Sequence, residues 1–190
     1  MSGLYESAME FEAFFRARGW RFCFIGGLAV LRWGVPRITL DVDISVLTGW
    51  DDTERYVDEV VRHFAARMND AAAFARENRV LLVKSSGGTP ADISMAALPF
   101  EEEVIGRASL WRVQREIALT TCSAEDLLVY KAFANRARDW DDIAGIVRRQ
   151  GRRLNEAQVM GALRPLCEAR GESEVMERLA RLMRQTEEGP

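Results

Sequence analysis

The chain has 190 residues, 48% hydrophobic and 29% charged, and carries a formal net charge of −3. That is long enough to bury a proper core, and the composition is that of an ordinary globular protein. The negative balance excludes wholesale coating of a nucleic acid but leaves room for a local basic patch.

In chain order, Leu4, Ala8, Phe11, Phe14, Phe15 and Arg18 fall near one helical stripe that Gly19 can end. Trp20–Ile25 is short, aromatic and β-branched, the pattern of a strand, and Gly26-Gly27 breaks it. A short helix is expected over Leu28–Trp33, stopped by Gly34 and Pro36. Residues Ile38–Leu47 alternate as a strand. Leu40, Val42, Ile44 and Val46 face one way, and Thr39, Asp41, Asp43 and Ser45 the other. A helix is expected from Asp52 to Met68, with Val57, Val60, Val61, Phe64 and Met68 inward. Arg79–Lys84 and Ala91–Ala97 form a predicted hairpin around Ser85–Pro90. Phe100–Arg107 follows as a short helix, and Leu110–Leu119 as an irregular or strand-like stretch.

From Ser123 the period becomes helical. Ser123, with Asp126 three residues on, can cap a helix to about Arg138. Further helices are expected over Asp139–Gln150, Asn155–Arg170 and Ser173–Gln185, with Glu187–Pro190 frayed. The expected class is therefore α/β: a small mixed sheet flanked by helices over residues 1–120, and a C-terminal helical region over 121–190.

No apolar run approaches the ~18 residues that span a bilayer, and the N-terminus lacks a signal-peptide core. Cys23, Cys122 and Cys167 are odd in number and form no CxxC pair, which argues against zinc and against a disulfide framework. A cytoplasmic protein without a membrane partner is expected.

Chemistry concentrates in few places. Asp41 and Asp43 leave the same strand face a few ångströms apart. Such like charges repel and raise each other's pKa, and a divalent cation relieves that repulsion. A polar face open to water explains the doublet equally well. Upstream, Gly26-Gly27 opens a helix, where backbone N–H groups and the helix dipole favour a phosphate. Downstream, Asp92 lies on the hairpin's second strand, where a third carboxylate can complete a metal site or take a proton from an attacking hydroxyl. Arg37 and Thr39 stand on the approach to the doublet as nucleotide-binding candidates; Arg37 can meet phosphate oxygens there, and an ordinary surface arginine is the other reading.

Together the run Gly26-Gly27-Leu28-Ala29 and the run Arg37-Ile38-Thr39-Leu40-Asp41-Val42-Asp43 resemble the signature of polymerase-beta-like nucleotidyltransferases. The resemblance is closest to the abortive-infection (AbiEii-like), toxin–antitoxin branch. Lys131, Arg136, Arg138, Asp139 and Asp142 resemble that branch's basic-acidic run on paired helices. The likeness spans roughly residues 20–147. It implies that Asp41 and Asp43 ligate Mg2+ (or Mn2+), and that Asp92 joins them or acts as base. It also implies that Gly26-Gly27 hold the triphosphate of an NTP, Lys131 neutralises phosphate charge, and Asp139 orients Lys131 or a substrate. The implied reaction moves an NMP to an acceptor hydroxyl: an RNA end such as tRNA, a protein, or a small molecule. A cognate antitoxin is a further implied partner. This chain departs from the pattern in two places. Many relatives have Gly-Ser where Gly26-Gly27 stand, and Ile44-Ser45 replace the common aspartate-leucine ending.

Two other readings compete. Asp41-Val42-Asp43-Ile44-Ser45 also resembles the D-x-D-x-[ST] opening of haloacid-dehalogenase-like phosphatases, although the continued alternation and the upstream Gly-Gly argue for the transferase. A catalytically silent, nucleotidyltransferase-like binding module is the other. His63, the lone histidine, lies beside its helix's buried stripe without a partner motif. The Gly87-Gly88 turn lacks the G-K-[ST] of a Walker loop. Arg148, Arg149, Arg152 and Arg153 suit either an RNA backbone or a solvated helix end.

Overall fold

Aromatic side chains organise the first half of the molecule. The structure, a computed structural model, describes the backbone of residues 2–187 and the side chains of residues 3–184. Helix α1 (Ser2–Ala17) buries Phe11, Phe14 and Phe15. Their rings meet Phe64 and Phe22, with Phe11 4.4 Å from Phe64 and Phe15 5.0 Å from Phe22 between centroids. Each such buried ring contributes roughly 1.5–3 kcal/mol of apolar burial. Gly19, at φ +65°, reverses the chain out of α1, and Trp20 N–H donates back to Phe15 O at 3.1 Å.

The strands are β1 (Phe22–Phe24), β2 (Val42–Leu47), β3 (Ala65–Ala66), β4 (Val80–Lys84), β5 (Pro90–Ala96), β6 (Ser109–Arg112) and β7 (Ala118–Thr121). They form one mixed sheet in the order β3-β4-β5-β2-β1-β7-β6. β2 is antiparallel to β1 but parallel to β5, and β1 is parallel to β7. The remaining helices of this half are α3 (Thr53–His63), α4 (Ala71–Asn78) and α5 (Pro99–Arg107). Buried Glu12 ties α1 to the sheet: it accepts from Thr120 N–H at 2.9 Å and from the Thr120 hydroxyl at 2.8 Å.

The described chain divides into two compact units. One comprises the residues up to Leu28 together with Ile38–Cys122, and the other comprises Ala29–Arg37 together with the residues from Ser123 onward. Helix α2 (Gly26–Trp33) contributes its first three residues to the former and the rest to the latter. The second unit is helical, built from α6 (Ala124–Ala134), α7 (Ala137–Gln150), α8 (Glu156–Arg170) and α9 (Ser173–Glu187). Leu127, Leu128, Ile143, Ile146, Leu163 and Leu179 fill its core. Ser123 caps α6 as expected, its hydroxyl accepting from Asp126 N–H at 3.0 Å. The segment before Ile38 joins this unit through close approaches at glycine. A Cβ on Gly145 would stand 3.2 Å from Val35 N.

Several expectations need correction. β2 starts at Val42, so Thr39, Leu40 and Asp41 precede the strand, and Ile38 and Leu40 are 79% and 76% exposed. The reason is pairing: the β2–β5 ladder begins at Val42↔Ala91, and among the described residues no strand pairs with residues 38–41. Helix α3 ends at His63, not Met68, because Phe64 turns extended into the aromatic cluster and Ala65–Ala66 pair with β4. Helix α4 was not anticipated. α6 stops at Ala134, where Asn135 adopts a left-handed conformation, short of the expected Arg138. Of the expected frayed residues Glu187–Pro190, Glu187 is still the last residue of a helix, Ser173–Glu187, and residues 188–190 lie outside the described residues. All three cysteines are buried, and no helix among the described residues is long and apolar enough to cross a membrane.

Candidate active site

The glycine corner and the carboxylate doublet meet at the end of β2. Ile25 N–H donates to Asp43 O at 3.0 Å, which fastens the corner to the strand. Gly27 N–H, in the first turn of α2, points at the Asp43 carboxylate, 3.3 Å from Oδ2. The contact is favourable because an anion at a helix N-terminus satisfies orphan N–H groups and meets the positive end of the dipole. The glycines are required by space. Gly26 has φ +53°, and a Cβ there would fall 1.8 Å from Asp43 Oδ2. A Cβ on Gly27 would fall 2.2 Å from Thr39 Oγ1. Asp41 is exposed and accepts from Thr39 Oγ1 at 3.0 Å.

Asp92 sits directly beside Asp43, since the two are register partners on parallel β2 and β5. Neighbouring strands lie about 4.8 Å apart and registered residues project to the same face, so both carboxylates leave one side of the sheet. Asp92 pairs with Arg67, just past β3. The structure thus brings Gly26, Gly27, Thr39, Asp41 and Asp43 together and places Asp92 abreast of them. Each carboxylate has its own local donor: a hydroxyl, a backbone N–H and a guanidinium. Among the described residues no three His, Cys, Asp or Glu side chains converge closely enough to hold a metal ion. The donor chemistry nevertheless fits a divalent cation: hard carboxylate oxygens on neighbouring registered positions, beside a glycine corner that any Cβ would fill.

Arg37, Lys131 and Asp139 have a different setting. Lys131 is buried, its Nζ 2.9 Å from Asp139 Oδ1 and 2.8 Å from Asp142 Oδ2. Arg37 grips Asp142 with both arms, Nε at 2.6 Å and Nη2 at 2.8 Å. Arg136 Nε donates to Asp139 at 2.6 Å. Three cations and two carboxylates form one network across Arg37, α6 and α7. Burial by itself would push the carboxyls of Asp139 and Asp142 up. The hydrogen bonds and charges of Arg136 and Lys131, and of Arg37 and Lys131, outweigh it and hold both below the ordinary value. Asp142 and Arg67 are the partners that the sequence reading left out of its site. Asp142's place four residues after Arg138 was visible in the sequence; Arg67 carried no signal.

His63 and part of the arginine run make local contacts. His63 is exposed and lies against the Phe14 and Phe64 rings. Arg149 donates to Gly34 O at 2.7 Å, and Arg153 to Arg149 O at 2.8 Å, so half of the arginine run caps backbone.

A mixed sheet carrying a glycine corner and in-register carboxylates is the core of a polymerase-beta-like nucleotidyltransferase. The fold is similar to an antigenic nucleotidyltransferase-like protein from Paracoccidioides brasiliensis (12% identity, TM-score 0.51, covering 92% of this chain and 90% of that one). It is also similar to the antibiotic-resistance factor ANT(2'')-Ia (15% identity, TM-score 0.52, covering 95% and 91%). No curated protein matches the chain by sequence. Residues 14–189 match the family described as nucleotidyl transferase AbiEii toxin, type IV toxin–antitoxin system, and the chain belongs to that family. It is a nucleotidyltransferase, and the haloacid-dehalogenase-like alternative falls with the fold.

Proposed function

We propose that the enzyme moves an NMP from an NTP to the hydroxyl of an RNA end, with release of pyrophosphate, as the toxin of a toxin–antitoxin pair in the cytoplasm. The observation that carries the reading is the side-by-side register of Asp43 and Asp92 next to the Gly26-Gly27 corner. Asp41, Asp43 and Asp92 would hold Mg2+, which on binding neutralises charge on the transferred phosphoryl group and its leaving pyrophosphate. The Gly27 N–H and the α2 N-terminus would receive the phosphates, replacing their present contact with Asp43. Thr39 orients Asp41. Whichever carboxylate oxygen is left toward the acceptor takes its hydroxyl proton. For Arg37, Lys131 and Asp139 we propose the role their contacts support, which is fastening the Ala29–Arg37 segment to α6 and α7. Type IV membership supports a cognate antitoxin as partner.

The test is incubation with each of the four α-labelled NTPs, magnesium and total RNA, beside an Asp41→Asn/Asp43→Asn variant. Label entering RNA only with the intact protein supports the reading and names the nucleotide. Label on protein or on a small molecule would replace the RNA acceptor. Absence of both transfer and magnesium-dependent NTP binding would favour a silent binding module.

A further inference from the structure

We propose that Arg67 is a positioning residue of this carboxylate face: it holds Asp92 aside, so that metal binding depends on the arrival of nucleotide. The inference rests on the transferase reading and deepens it. Arg67 follows the two-residue edge strand β3, and its N–H donates to Leu82 O at 3.0 Å, extending the ladder by one position. Ala66 pairs with Val83, Leu82 with Asp92, and Asp92 with Asp43. Arg67, Leu82, Asp92 and Asp43 therefore form one row across four strands, and residues in register share a face. Burial on the opposite side agrees, since Leu81, Val83, Ala91 and Ile93 are all fully buried there. The guanidinium reaches over half-buried Leu82 to the Asp92 carboxylate.

Two consequences follow from the row. Asp92 lies between a cation on its β4 side and a carboxylate on its β2 side, so its charge is drawn toward Arg67 and away from Asp43. A divalent cation entering between Asp43 and Asp92 must compete with a guanidinium already in place. A polyphosphate arriving with the cation changes that balance, because its oxygens offer the displaced guanidinium a bidentate partner. Metal alone then binds weakly, and metal with nucleotide binds tightly, which is a coupling between the two ligands.

Mn2+ binding, read by the electron paramagnetic resonance of the free ion, tests this without turnover. Wild type, Arg67→Ala, Arg67→Gln, Asp92→Asn and the double variant Arg67→Ala/Asp92→Asn are titrated with Mn2+ alone and with a non-hydrolysable NTP analogue. Circular dichroism establishes that each is folded, and Arg67→Gln stands in if Arg67→Ala is not. The expected result is that removing the guanidinium tightens Mn2+ binding in the absence of nucleotide by about five-fold or more, and shrinks the enhancement by the analogue. With Asp92→Asn present, the Arg67 substitution no longer matters. Unchanged or weaker Mn2+ binding by the folded Arg67 variants overturns the proposal while leaving the metal site standing. No Mn2+ binding by any protein, with or without the analogue, overturns both.

Discussion

Asp43 and Asp92 stand side by side on parallel strands β2 and β5, register partners from distant parts of the sequence. Asp43 is fixed by the Gly27 N–H and Asp92 by Arg67. Placing two like charges on neighbouring strand positions is unfavourable without a counter-charge. Asp43→Asn and Asp92→Asn are therefore expected to keep the fold, with melting temperatures unchanged or slightly raised. Transfer activity should fall by roughly 10²-fold or more, as for loss of a group that stabilises transition-state charge. Parallel melting curves and initial rates check both halves of the statement.

Gly26 tests the corner. Alanine at φ +53° costs about 1–2 kcal/mol from the left-handed backbone alone. Its Cβ would also overlap the Asp43 carboxylate, which has to leave its place. Gly26→Ala is expected to lower the melting temperature and weaken NTP binding together, measured by thermal shift with and without NTP. Gly27→Ala should be milder, because the atom in its way belongs to Thr39 on an exposed segment that can yield.

The network in the helical unit predicts a pH dependence. Asp139 and Asp142 are held below the ordinary carboxyl value of 3.8. A carboxyl with a lowered folded value contributes stability that is present above its unfolded value and is lost as pH falls through the folded one. Asp142→Asn takes from Arg37 the carboxylate it grips and leaves Lys131 to share Asp139 with Arg136, and should cost about 3 kcal/mol at neutral pH. As pH falls below 3.8 the unfolded carboxyl takes up a proton while the folded one stays charged, so the gap between the two proteins should narrow, and it closes only as pH falls through the lowered folded value. Urea titrations of both proteins from pH 7 down to pH 3 measure it.

Lys131→Met separates the two roles considered for that lysine. The expected outcome is a loss of stability of about 3 kcal/mol. The KM for NTP should stay within about two-fold of wild type at a temperature where both proteins are folded, because the ammonium is committed to Asp139 and Asp142. A large rise in KM with stability intact would return Lys131 to the phosphates.

What the sequence disclosed follows from how locally each feature is determined. The glycine corner, the doublet and the Ser123 cap are encoded within a few residues, and alternation and spacing reveal them. The start of β2 was misplaced because Ile38 and Leu40 continue the alternation without a strand to pair with. The burial of Lys131 is not legible in the sequence, because α6 is buried on several sides and shows no clean stripe. Leu127, Leu128, Val129 and Ala132 are all inside. The partners Arg67 and Asp142 depend on sheet order and helix docking, which link residues 25 and 105 positions apart. No pattern of spacing along the chain carries that information.

Pyrophosphate release measured alongside label incorporation reads the chemistry of the carboxylate face, with wild type and Asp43→Asn given magnesium, the preferred NTP and total RNA. One pyrophosphate per NMP transferred is expected from the wild type, with loss of both signals together in the folded variant. Equal transfer by wild type and variant would contradict the assignment of the chemistry to the carboxylate face.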